Sequence, residues 1–322
     1  MKNELSQSEW VRVDYKGWKN AYRFQTTGMV MTVVGDIGAR IMEYGFPGHN
    51  IFWQDPAFFG ATLQEKGMFL PGGSQFDLLD EHGPVSPKEP ALWTGEYNVD
   101  IKAPTILTAT SQVGTNTGLQ IIRDIEINPL TGEAVIKQTV YNKSVQKQKI
   151  AIWDRTWTRG PCLLAVPVEP TPNWPEGYGF LSSKDGVLTA EPASSRPEAA
   201  GQFKYKEGVL TIEPAGKACQ IIMKDTKGTF AYAQHDLLYI KRYAVESGTY
   251  RWFGCPASVW LSELDCKKVG LMAEMEPTSP LYDLEPGRNC FFQEKWQIIR
   301  LETPLENHEQ LRRKMLKYVM IN

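Results

Sequence analysis

An all-β sandwich is the fold this sequence predicts, and three observations predict it. Apolar and polar residues alternate with a period of two in one run after another. Turn signals separate these runs at a spacing of roughly 8–12 residues, which suits an antiparallel sandwich rather than strand–helix–strand units. Helical periodicity is convincing at one place, the C-terminus.

The elements follow in order. Leu119, Ile121, Ile125 and Ile127 fall on one face of a strand, with Gln120, Asp124 and Glu126 on the other. The turn Asn128-Pro129-Leu130-Thr131-Gly132 leads into a second strand, where Ala134, Ile136, Gln138 and Val140 alternate with Val135, Lys137, Thr139 and Tyr141. Residues 236–243 and 291–299 are rich in β-branched and aromatic side chains, as strands are. Lys184-Asp185-Gly186, Glu207-Gly208 and Glu285-Pro286-Gly287 read as further turns. Residues 80–92 and 167–201 are Pro-rich and predict two long loops of the kind that wall a binding cleft. Thr303-Pro304-Leu305-Glu306 reads as a capping box, and Leu311, Met315 and Val319 repeat at helical spacing. The spacing predicts one helix over about 304–320, packed on a single domain spanning 1–322.

Composition narrows the function. The 322 residues carry 35 Lys and Arg against 37 Asp and Glu, a net charge of −2, which argues against a nucleic-acid partner. No apolar stretch approaches the ~18 residues of a membrane span. The aromatic load, 10 Trp, 13 Tyr and 13 Phe, suits stacking on sugar rings and equally a large β core. Five cysteines, at 162, 219, 255, 266 and 290, form no CxxC pair, so neither a disulfide framework nor a zinc site is indicated. Cys255 and Cys266 are the one local pair, and buried free thiols are the expectation. MKNELSQSEW lacks the basic-then-apolar pattern of a secretory leader. Localisation stays open: cytoplasmic as the chain stands, periplasmic if a leader was removed. Phosphate-loop, dinucleotide, HExxH and GxSxG motifs are absent.

Acids and bases on the predicted strands are the candidates for chemistry. Glu274 and Glu276 alternate along 271–277 and point to one face. Glu294 shares a face with Phe292 and Trp296, and Lys241 with Tyr239 and Tyr243. Asp154 and Arg155 lie between Trp153 and Trp157. A carboxylate among apolar residues on a strand is paired, hydrogen-bonded or functional. A structural ion-pair network and a ligand site both satisfy that rule. His82, in the first Pro-rich loop, and His235, before the 237–243 strand, are candidate proton carriers. His49 and His308 are expected on the surface.

Several segments, in order along nearly the whole chain, resemble the galactose-mutarotase-like superfamily, and within it a bacterial branch known as DUF4380. Gly35-Asp36-Ile37-Gly38-Ala39-Arg40-Ile41 with Asn50-Ile51-Phe52-Trp53 is similar to its "GGRI … NLLW" opening. Pro71-Gly72-Gly73-Ser74-Gln75-Phe76-Asp77 resembles the double-Gly turn, with Ser74 where many relatives carry a basic residue. Leu92-Trp93-Thr94-Gly95-Glu96-Tyr97 looks like the "LW-G-W" element. Tyr141-Asn142-Lys143-Ser144 and Trp153-Asp154-Arg155-Thr156 resemble "N-S … HW-RT". Glu274-Met275-Glu276-Pro277, Leu284-Glu285-Pro286-Gly287 and Phe292-Gln293-Glu294-Lys295-Trp296 resemble "ELEP … L-PG … FTE-W".

The resemblance implies a β-supersandwich with a sugar-sized cleft across one sheet. Mutarotases of the superfamily open and reclose the pyranose ring with a Glu general base and a His general acid. Gly270-Leu271-Met272-Ala273-Glu274 fits the "G-x-x-x-E" strand, so Glu274 corresponds to the base. The acid's strand reads Trp153-Asp154-Arg155-Thr156-Trp157, with no His. An arginine stays protonated and is a poor general acid, but it clamps a carboxylate or a sugar oxygen well. The expected sugar contacts are therefore Arg155, Asp154, Lys241, Glu276 and Glu294, with Trp93, Trp153 and Trp157 lining the cleft and Asp77 and His82 beside it. An acidic sugar would suit the cations. Some relatives hold Ca²⁺; no Asp-rich loop predicts it here, and no cofactor is expected. The leading expectation is a carbohydrate-binding protein acting as an aldose 1-epimerase-like isomerase. The alternatives are a non-catalytic sugar-binding or sensing module, and a polysaccharide lyase or glycosidase, for which the alternate Glu274 and Glu276 could supply two carboxyls.

Overall fold

Strand pairing is antiparallel in both parts of the molecule, as alternating sequences with one buried face require. The computed structural model describes residues 8–184, 187–264, 269–305 and 307–319. These divide into two compact units, one up to Trp153 together with Leu281–Ile298, the other Asp154–Pro280 together with the segment from Ile299 onward. The chain passes from the first to the second within the strand Gln148–Arg159.

In the first unit the strands Val11–Tyr15, Trp18–Gln25, Val30–Val34, Arg40–Phe46 and Ser74–Asp80 lie side by side. Tyr97–Ala103, Ile106–Ser111, Leu119–Ile127, Ala134–Asn142 and Asn289–Arg300 form the facing array. Leu119, Ile121, Ile125 and Ile127 are all buried, as the alternation requires, and so is Arg123 between them. Phe76 meets Phe292 edge-on at 6.4 Å, and Tyr44 meets Trp296 at 5.4 Å, so aromatic contacts join the two arrays. The loop expected over 80–92 contains the short strand Gly83–Pro84 and the helical turn Pro90–Thr94.

In the second unit the end of Gln148–Arg159 is followed across the sheet by Met272–Pro277, Ala257–Leu261, Cys219–Met223, Gly179–Lys184 and Val187–Pro192. The last two strands form a hairpin inside the excursion that composition reads as loop over 167–201. Asp185 and Gly186, which the sequence reads as a turn, lie outside the described residues. Phe203–Lys206, Val209–Ile212, Leu163–Pro167, Thr229–Gln234 and Leu237–Tyr243 form the other array.

The C-terminal helix runs His308–Val319, four residues later than the sequence suggests. Asn307 is its cap: the Asn307 side-chain oxygen accepts the Gln310 amide at 3.0 Å. Thr303 and Pro304 precede the helix, and Glu306, the third member of the expected capping box, lies outside the described residues. His308, expected on the surface, is buried instead, with its ring nitrogens on Thr211 (2.8 Å) and Glu213 (3.0 Å). Leu311 and Met315 are fully buried against Leu163, Ala165, Ala231, Ala233, Leu238 and Ile240. Truncating Leu311 to Ala should cost about 2–5 kcal/mol, because the rigid sheet beneath it cannot collapse into the space. A urea midpoint equal to that of the parent chain would show that this contact contributes nothing. Cys162, Cys219, Cys255 and Cys290 are free and buried; Cys266 lies outside the described residues.

Candidate active site

Directly opposed residues in an antiparallel pair share a face, so register decides which of the predicted groups meet. Trp157 stands opposite Glu274, which stands opposite Trp260, and Glu276 stands opposite Ser258. Gln220 in turn stands opposite Trp260. Arg155 is two residues from Trp157 and joins the same face. Asp154, Thr156 and Thr158 point the other way, into the interior of the second unit, and all three are buried.

On the first face the Arg155 guanidinium lies over the Trp157 ring, 4.9 Å from its centroid. From there its Nε donates to Glu274 Oε1 at 2.6 Å and its Nη2 to Oε2 at 3.5 Å. The Glu274 side chain is 3% exposed and that of Arg155 is 23% exposed, so solvent reaches the pair through the arginine. Glu276 is buried beside them, and its Oε2 accepts both the Ser258 hydroxyl and the Gln220 amide, the latter at 2.9 Å. Burial pushes the Glu276 carboxyl well above the ordinary value of 4.5, and the charge of Glu274 pushes it further. Arg155 and the two hydrogen bonds act in the opposite direction without cancelling that rise.

The pleat separates Asp154 and Lys241 from this group. Lys241 Nζ donates to Asp154 Oδ2 and to Thr156 Oγ1 (2.6 Å), and the Thr156 hydroxyl donates to Asp154 at 2.9 Å. Both ionic side chains are 0% exposed. Lys241 and Asp154 thus compensate each other inside the sandwich, whereas Arg155 is compensated by Glu274 rather than by its neighbour in sequence.

Of the remaining expected contacts, Trp93, Trp153, Asp77, Glu294 and His82 belong to the first unit. Trp93 is buried with Arg40 4.6 Å over its ring, so its face receives a guanidinium. Trp153 and Trp157 are buried as well. Asp77 is buried and accepts the Ser86 hydroxyl at 2.6 Å. Glu294 is fully buried and accepts the Trp296 indole N–H at 2.7 Å. His82 is exposed at the tip of a turn, where its amide donates to Asp80 at 2.7 Å. His235 is also exposed, in the turn before Leu237–Tyr243. Among the described residues no cluster of three or more His, Cys, Asp or Glu could hold a metal ion, and no helix is long and apolar enough to cross a membrane.

No family model and no curated protein matches the chain. Solved structures do match. A galactose mutarotase-like protein of Clostridium acetobutylicum superimposes with a TM-score of 0.58 at 10% identity, over 87% of this chain and 95% of that one. A proposed aldose 1-epimerase of Escherichia coli K12 gives 0.60 at 10% identity, over 87% and 99%. The chain has the galactose-mutarotase-like fold. A TPR-domain containing protein of Parabacteroides distasonis carries a similar region, with a TM-score of 0.60 at 12% identity, over 94% of this chain and 53% of that one. Within its galactose-mutarotase-like fold this chain also buries two arginines that patterning passes over. Arg123 donates to Gln138 Oε1 (3.2 and 2.9 Å), Gln75 Oε1 and the Ala39 carbonyl, and Arg40 to the Gly72 carbonyl at 3.1 Å. For Arg123 a signal existed: it occupies the buried phase of the alternation between Ile121 and Ile125. Ser258 and Gln220, which hold Glu276, carry no sequence signal, because only cross-strand register brings them there.

Proposed function

We propose that the chain is a carbohydrate-active isomerase that binds a pyranose against the Arg155–Glu274 face and interconverts its anomers. The observation that carries this reading is the clamped Glu274: a nearly buried carboxylate, held by a guanidinium that lies over Trp157, at the position corresponding to the mutarotase base. Such a carboxylate can take the proton of the anomeric hydroxyl as the ring opens. The partly exposed Arg155 suits a sugar oxygen, or the carboxylate of an acidic sugar. The DUF4380 branch is the narrower family assigned.

The test is exchange NMR or polarimetry of freshly dissolved aldohexoses and a uronic acid. At least one of them should equilibrate its anomers faster than the uncatalysed background. Background rates throughout would remove the isomerase. The lack of a His on the Gln148–Arg159 strand between Trp153 and Trp157 favours a second reading, a non-catalytic sugar-binding module. A clear ligand in a thermal-shift screen without turnover would select it.

A further inference from the structure

We infer that Glu276 is the proton donor that works with Glu274, so that two carboxyls on one strand share a single proton and move it across the sugar. The inference rests on the isomerase reading above and names the acid that reading lacks.

Three features of the geometry carry it. Glu274 and Glu276 are alternate residues of Met272–Pro277 and project from one face, about 6.6 Å apart along the strand. Each is held by a different set of partners. Glu274 is paired with the cation Arg155, while the hydrogen bonds to Glu276 come from uncharged groups, Ser258 on the adjacent strand Ala257–Leu261 and Gln220 on Cys219–Met223, one strand further across the sheet. Of the charged groups acting on Glu276, Glu274 lies on its own strand and Arg155 on Gln148–Arg159. One cation for two buried carboxyls means that one carboxyl carries a proton. Burial and the neighbouring Glu274 charge assign that proton to Glu276, and Oε1 is the oxygen that receives neither Ser258 nor Gln220.

The step balances without any further reagent. Glu274 removes the proton of the anomeric hydroxyl, the C1=O1 double bond forms as the C1–O5 bond breaks, and O5 takes the proton of Glu276. After rotation about C1–C2 the ring recloses: O5 attacks C1, returns its proton to Glu276, and O1 recovers one from Glu274. The pair holds one proton before and after, and with Arg155 its net charge is zero at both points.

Three measurements on the full chain test the assignment: anomer exchange, sugar binding by thermal shift, and melting temperature against pH. Glu276→Gln should slow exchange by about 10²–10⁴-fold while sugar binding persists, since the amide copies the protonated carboxyl but carries no labile acid proton. Its melting temperature should exceed that of the wild type at neutral pH. An unfolded Glu276 ionises near 4.5 whereas the folded one holds its proton to higher pH, so the wild type loses stability as pH rises above that value and the variant does not. The gap should close below pH 4.5. Should the variant fail to fold, Ser258→Ala serves instead. It removes a hydrogen bond to the ionised form and should move the alkaline limb of the rate profile to higher pH. A Glu276→Gln variant that keeps its rate overturns the donor and leaves the isomerase intact. Lost sugar binding, or a lowered melting temperature at neutral pH, makes Glu276 a structural carboxylate and also overturns it. A wild type that accelerates no sugar overturns both.

Discussion

Lys241→Met should cost about 3–5 kcal/mol of stability, read as a fall in the urea midpoint. The ammonium it removes is fully buried and serves Asp154 and Thr156 inside the second unit. The methionine fills a similar volume, so the loss comes chiefly from the Asp154 carboxylate, left without its cation in a region water does not reach. The double variant Asp154→Leu/Lys241→Met should recover most of that loss, because removing both members of a buried pair leaves no orphaned charge. Sugar binding by the double variant should match the wild type. A single variant with an unchanged midpoint would rule out a structural pair; a stable double variant that no longer binds sugar would return both residues to the ligand site.

Glu274→Gln should abolish anomer exchange, by about 10²–10⁴-fold, and leave sugar binding nearly intact. The amide keeps the shape and still offers Arg155 an oxygen, but it cannot take a proton. Removal of the Glu274 charge also relieves Glu276 of a like-charged neighbour, so the Glu276 carboxyl should become more acidic and move closer to Arg155 in electrostatic effect. That compensation limits the loss of stability. A variant with a markedly lowered melting temperature and an unchanged exchange rate would make Glu274 a structural anchor for Arg155.

The fold was legible because its signals are local. Alternation in Leu119–Ile127 and Ala134–Asn142 sets their faces whatever they pair with, and the buried Leu311 and Met315 follow from helical spacing alone. The Gly179–Lys184 and Val187–Pro192 hairpin was hidden because prolines, glycines and small residues around it read as loop. The candidate site was legible only by residue type. Sequence could bring Glu274, Arg155, Asp154 and Lys241 forward as charges on strands, but not sort them, since sorting depends on partners as far apart as Arg155 and Glu274 or Lys241 and Asp154. Adjacency misleads here: Asp154 and Arg155 are covalent neighbours whose ion-pair partners, Lys241 and Glu274, lie on different strands.

The opposite facing of Asp154 and Arg155 also bears on how the chain avoids misfolding. A one-residue slip of the strand Gln148–Arg159 would turn each side chain to the other side of the sheet. Arg155 would then enter the dry interior beside Lys241, cation against cation. Asp154 would be carried out to Glu274 and Glu276, placing a third carboxyl beside two that have lost the Arg155 guanidinium. Both ends of the exchange are repulsive, so the misregistered sheet is penalised twice, and two adjacent letters of sequence act as a proofreading device for strand alignment.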